Sequence, residues 1–147
     1  MPHLIVEHSA DAASTAGLGA LCDALFAALA AHPSITKPET LKLRTQAAGA
    51  HLLGTRGQSF AHATLRLLPG RDAGTRSDLA QVILGVLEVQ MPQVHSLSVD
   101  ISDLDPAYAK RVLPNSCFAG LTKERSKWTT RPKSSLRPQH FAPCAII

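Results

Sequence analysis

Four residues of this 147-residue chain have types suited to proton chemistry on a small anion: Pro2, Lys42, Arg44 and Arg71. An aminopeptidase that trims methionine before small residues would leave Pro2 as a secondary amine at the head of the apolar run Leu4-Ile5-Val6. Every other proline nitrogen in the chain is an amide and takes up no proton. Apolar walls or neighbouring cations lower an amine's pKa, and an amine brought near neutrality is a general base at physiological pH. Lys42 and Arg44 stand two positions apart in an alternating segment, which puts them on one face of a strand. Arg71 follows Pro69-Gly70 and opens a helical pattern, where free N–H groups and the helix dipole favour an anion. The planar arginine fork suits bidentate contact with a carboxylate.

Other chemistries lack their signatures. The chain has no GxGxxG, GxxxxGK[ST], GxSxG or HExxH motif. Its seven histidines are scattered, and none has a spaced carboxylate partner that would mark a catalytic triad. Cys22, Cys117 and Cys144 form no metal-ligand spacing, and their odd number argues against a disulfide framework. The expectation is chemistry that needs no cofactor and no metal.

Composition sets the frame for these residues. An apolar share of 45% over 147 residues supports one domain with a real core, and an aromatic share of 4% makes that core aliphatic. The formal charge of +4 is uneven: residues 114–147 hold six Lys/Arg against one acid, while the first 113 hold nine against ten. Prolines 114, 132, 138 and 143, with no apolar period, give residues 114–147 the composition of a basic, disordered tail. Trp128 between Lys127 and Arg131 is a weak stacking signal, so nucleic acid is not an expected partner of the domain. No apolar stretch reaches membrane-spanning length, and the run Gly17 to Ala31 has Asp23 inside it and no basic residue before it, unlike a signal peptide. A cytoplasmic protein is expected.

Periodicity then places the elements. Leu4-Ile5-Val6 reads as a strand, and Leu18, Leu21, Cys22, Leu25 and Leu29 mark a helix from about Thr15 to Ala31. Alternation predicts strands over Leu41–Thr45, Phe60–Leu67 and Leu97–Ile101. Leu79, Val82, Ile83, Val86, Leu87 and Met91 carry a second helix, capped by Asp72 or Thr75 and ended by Pro92. The order is a tandem βαβ repeat offset by 57 positions. It predicts an α+β fold with a four-stranded sheet and both helices on one face. Leu43, Leu65, Leu67, Val99 and Ile101 lead to the further expectation of an apolar open face covered by oligomerisation.

The ordered set Met1-Pro2-His3-Leu4-Ile5-Val6-Glu7-His8-Ser9, Leu41-Lys42-Leu43-Arg44, Phe60-Ala61-His62-Ala63-Thr64-Leu65, Gly70-Arg71-Asp72 with Arg76, and Tyr108-Ala109-Lys110-Arg111-Val112 resembles the 5-carboxymethyl-2-hydroxymuconate isomerases of the tautomerase superfamily. The resemblance covers residues 1–113 as one tautomerase-like domain, and residues 114–147 have no counterpart. It implies a homotrimer whose Pro2 shuttles a proton, with Arg44 and Arg71 binding carboxylates and Lys42 standing where some members have arginine. The implied activity is keto–enol isomerisation of a carboxylated 2-hydroxydienoate in aromatic catabolism, with a small carboxylate as substrate. The segment Thr45 to Leu53 departs from the family pattern and motivates the alternative, a catalytically idle oligomeric binding protein of the same fold.

Overall fold

The computed structural model describes residues 1–12, 15–55 and 58–112, of which 1–108 form one compact unit. The expectations for residues 114–147, including Cys117, Trp128 and Cys144, lie outside the described residues. Strand β1 (His3–Ser9) leads to helix α1 (Thr15–Ala30), a 3-10 turn at Pro38–Thr40 and strand β2 (Lys42–Ala48). The second half repeats the order with β3 (Phe60–Leu67), α2 (Ala73–Gln90) and β4 (Ser96–Asp103). The fold is the expected α+β tandem βαβ arrangement. β3 has the bounds that alternation predicts, β1 and β4 extend beyond their apolar centres, and β2 starts one residue later than expected and runs on to Ala48.

The sheet runs β2-β1-β3-β4. Each βαβ half contributes a parallel pair, β1 with β2 and β3 with β4, and the halves meet as the antiparallel pair β1/β3. Asp72 caps α2: its carboxylate accepts from the Thr75 N–H at 2.9 Å and the Thr75 hydroxyl at 2.8 Å. These two bonds hold the Asp72 carboxyl below the usual carboxylate range. Gly70 precedes the cap with φ +109°, a conformation that side chains with a Cβ rarely adopt.

One core joins the layers. Leu21, Leu25 and Leu29 of α1 and Leu79, Ile83 and Leu87 of α2 pack with Leu4 and Val6 of β1 and Ala61, Ala63, Leu65 and Leu67 of β3. Each fully buried leucine stabilises the fold by about 2 kcal/mol. Among the described residues the buried core contains no aromatic side chain, as the composition requires. Cys22 is only half-buried, and burial with Asp23 nearby pushes its thiol pKa up.

The expected apolar open face is corrected by the register. Leu43 pairs with Leu4, and Val99 and Ile101 pair with Ala63 and Leu65, so all share the helix-facing phase and pack on the core. The opposite phase carries Lys42, Arg44, Glu7, His62, Arg66 and Asp100, with Ile5 as its apolar exception in β1. The leucines that suggested a second apolar face belong to the face the helices already cover. Among the described residues the open face is mainly polar and charged, with half-buried Ile5 and Phe60 as its large apolar members.

Candidate active site at the start of the first strand

Pro2 is buried immediately before β1, and its carbonyl accepts a hydrogen bond from the Lys42 N–H at 3.1 Å. This bond aligns the first residues of β1 and β2, so Lys42 becomes the cross-strand partner of His3. Arg44 lies two pairs further along, opposite Ile5. On the other flank of β1, Arg66 is the partner of His3. Directly opposed residues stand with Cβ atoms about 5 Å apart, so His3 has a cation on each side.

The cations leave an electrostatic mark. Burial first, then Lys42, Arg44, the chain-terminal amine and Arg66, lower the pKa of His3 below its ordinary 6.5. Its ring is therefore neutral at physiological pH. His3 Nε2 lies 2.9 Å from the Tyr108 hydroxyl, and the two rings meet edge to face with centroids 5.7 Å apart.

Arg71 occupies the same end of the sheet, in the connection that leaves β3. Its Nη1 donates to the Leu68 carbonyl at 3.0 Å and its Nη2 to the Ser34 carbonyl at 3.2 Å. Nε is buried without a hydrogen-bond partner. The side chain thus ties the β3–α2 connection to the α1–β2 connection, a structural duty that the sequence does not announce.

The four expected site residues are brought to one end of the sheet but not to one face. Pro2 shares the buried, helix-facing phase of Leu4 and Val6, whereas Lys42 and Arg44 are exposed on the open face. Within one chain these two cations do not close over the Pro2 ring. Neither alternation nor spacing singles out Arg66 or the His3–Tyr108 pair. Arg66 alternates in phase with His62 and Thr64, but only the β1/β3 register puts it beside His3.

A cavity of about 340 Å³ opens at the far end of the sheet, lined by Ala10, Asp11, His51, Leu52, Leu53, Thr55 and Gln58. None of the Pro2 group reaches it. A hydrogen bond from Ser9, first among several causes, holds the Asp11 carboxyl low. Among the described residues no three His, Cys, Asp or Glu side chains gather as a metal site, and no helix is long and apolar enough to cross a membrane.

No functionally curated protein sequence matches the chain. Among solved structures, a 5-carboxymethyl-2-hydroxymuconate isomerase from Deinococcus radiodurans R1 superposes with a TM-score of 0.65 at 21% identity, covering 77% of this chain and 90% of the other. A macrophage migration inhibitory factor-like protein from Entamoeba histolytica gives 0.61 at 13% identity, covering 75% and 95%. A fused 4-OT described as a symmetric trimer gives 0.56 at 18% identity, covering 75% and 94%. These likenesses establish a shared fold, and the family model for 5-carboxymethyl-2-hydroxymuconate isomerase matches residues 2–112. The chain accordingly belongs to the 5-carboxymethyl-2-hydroxymuconate isomerase family, within the tautomerase superfamily of isomerases.

Proposed function

We propose that the chain, once Met1 is removed, is a homotrimeric keto–enol tautomerase acting on a carboxylated 2-hydroxydienoate such as 5-carboxymethyl-2-hydroxymuconate. The observation that carries this reading is the field at the start of β1. Burial first, and then Lys42, Arg44 and Arg66, lower the pKa of His3, the residue next to Pro2 and the cross-strand partner of both Lys42 and Arg66. The same charges favour the neutral form of an amine at Pro2 and attract a polycarboxylate.

Neutral Pro2 takes the proton from the 2-hydroxyl group and returns one to a distant carbon, giving an α,β-unsaturated ketone. The net change moves one proton and no electrons, so the reaction balances without a cofactor. Arg71 and Arg44, with Lys42, hold the carboxylates and offset negative charge that develops on the dienolate oxygen. Lys42 and Arg44 face away from the Pro2 ring of their own chain, so a site using all four residues draws on more than one copy. The charged open face suits the hydrated interior of such an assembly. The reading includes aromatic catabolism in the cytoplasm, and it takes residues 1–113 as the catalytic domain and 114–147 as an appendage.

The test is ultraviolet detection of ketonisation across a set of carboxylated 2-hydroxydienoates, using protein whose lack of Met1 is verified by intact mass. Turnover with at least one member is expected. Absence of turnover across the set overturns the reading, and Met1 retained in protein isolated from its own cell favours an oligomeric binding protein of the same fold.

A further inference from the structure

The chain does not leave the sheet at the end of β4. Arg76 holds that end, donating to the Ile101 carbonyl at 2.8 Å and pairing with the Asp103 carboxylate at 3.4 Å. The next residue turns back towards β3: the Leu104 N–H donates to the Leu67 carbonyl at 2.6 Å. A turn follows in which the Asp105 carbonyl accepts from the Tyr108 N–H at 2.9 Å and the Asp105 carboxylate accepts from the Ala107 N–H at 2.7 Å. Tyr108 then meets His3 of β1. Residues 104–108 thus form a strap that starts at the edge strand, passes the end of β3 and reaches His3, the first residue of β1.

The place where the strap stops is chemically unusual. Tyr108 lies outside the aliphatic core, only half-buried, with its hydroxyl 2.9 Å from a neutral imidazole. That imidazole belongs to the residue next to Pro2 and is flanked by Lys42 and Arg66. A phenol hydroxyl can both accept and donate a hydrogen bond. It adds a hydrogen-bond donor to a cationic region without adding further charge.

We propose that Tyr108 is a substrate-contacting residue of a Pro2 site shared between copies of the chain, since it meets the same open face as Lys42 and Arg44, and that His3 is the positioning residue that aims its hydroxyl. His3 Nε2–H donates to Tyr108 Oη. The Tyr108 O–H is then directed to the substrate oxygen on which negative charge grows as Pro2 removes the hydroxyl proton. No covalent step is involved: the phenol keeps its proton and the hydrogen bond strengthens as the dienolate forms. This inference rests on the tautomerase reading above and extends it to a residue that neither alternation nor spacing singles out.

The experiment compares Met1-free parent, Tyr108→Phe and His3→Gln. Phenylalanine keeps the edge-to-face ring contact and loses the hydroxyl, while glutamine keeps a donor for Tyr108. In the ketonisation assay Tyr108→Phe should lose about 100-fold in kcat, the scale of a single oxyanion donor, with KM changed less than threefold. His3→Gln should lose less. Oxalate, a planar dianion resembling a 2-oxo acid enolate, is titrated in parallel while the His3 ring resonances are followed by NMR. Oxalate should shift them in the parent and bind Tyr108→Phe at least about tenfold more weakly.

A merely structural Tyr108 would lower the melting temperature of Tyr108→Phe while leaving kcat and oxalate affinity at parental values, and that result overturns the proposal. If the parent ketonises no 2-hydroxydienoate but the oxalate difference persists, the reaction assignment fails and the Tyr108 contact stands. If the parent turns over and Tyr108→Phe matches it in both assays, the Tyr108 proposal fails alone.

Discussion

Replacing Pro2 by alanine, with removal of Met1 confirmed by intact mass, separates chemistry from packing. Pro2 is buried, and alanine lacks two of its ring methylenes, a loss of about 1.6 kcal/mol at ~0.8 kcal/mol per buried CH2. The Lys42 N–H to Pro2 carbonyl bond of 3.1 Å is a backbone bond and survives the exchange. The variant should therefore fold, with a melting temperature lower by roughly 5–10 °C. Its terminus becomes a primary amine without the ring that orients it. General-base catalysis contributes about 100- to 10,000-fold, or roughly 3–5 kcal/mol of barrier. The ultraviolet assay should accordingly show kcat/KM reduced by about 100-fold or more at 25 °C. The packing loss cannot mimic this, because a domain still stable by several kcal/mol is almost wholly folded. Unprocessed protein with Met1 attached should be equally inactive, since its Pro2 nitrogen is an amide. A Met1-free Pro2→Ala enzyme within about threefold of the parent refutes the assignment of Pro2 as the base.

Four further outcomes follow from the geometry. Arg71→Ala removes the tie between the Leu68 and Ser34 carbonyls, so both the melting temperature should fall and KM should rise; Arg71→Lys should not restore them, because an ammonium cannot reproduce the planar fork. A melting loss with unchanged KM would leave Arg71 as a clamp alone. The pKa of His3 is depressed on folding, so the unfolded chain takes up the proton first; stability present above about pH 6.5 is lost as pH falls through the folded value. Urea midpoints at pH 7.5 and pH 5 should differ by less in His3→Gln than in the parent. Gly70→Ala should cost about 1 kcal/mol through its φ of +109° alone, since no atom lies within 4 Å of the added Cβ. Leu79→Ala, emptying a fully buried position under α2, should cost about 3 kcal/mol in chemical denaturation.

Periodicity carried much of the fold. Leu18, Leu21, Leu25 and Leu29 mark α1 to within a residue of its end, and the alternation of Phe60 to Leu67 gives β3 its bounds, because those patterns record which side chains a local element must bury. Asp72, one of two candidate caps, is the residue whose carboxylate accepts from Thr75. The site was less legible. Alternation puts Lys42 and Arg44 on one face but does not say which face, since that depends on where the helices lie. Leu43, Val99 and Ile101 show the same gap: their phase was readable, and their cover was not.

The sequence by itself determined the element order, the repeat, the aliphatic core and the proline whose amine could act as a base. Those follow from residue type and from spacing over a few positions. Only the tertiary structure decided that His3 stands between Lys42 and Arg66, that Arg71 ties two connections together, and that Tyr108 returns to the start of β1. Each joins residues dozens of positions apart, as far as the 105 between His3 and Tyr108. Strand register and loop closure set such neighbours, and both are fixed by burying the whole helix-facing surface at once.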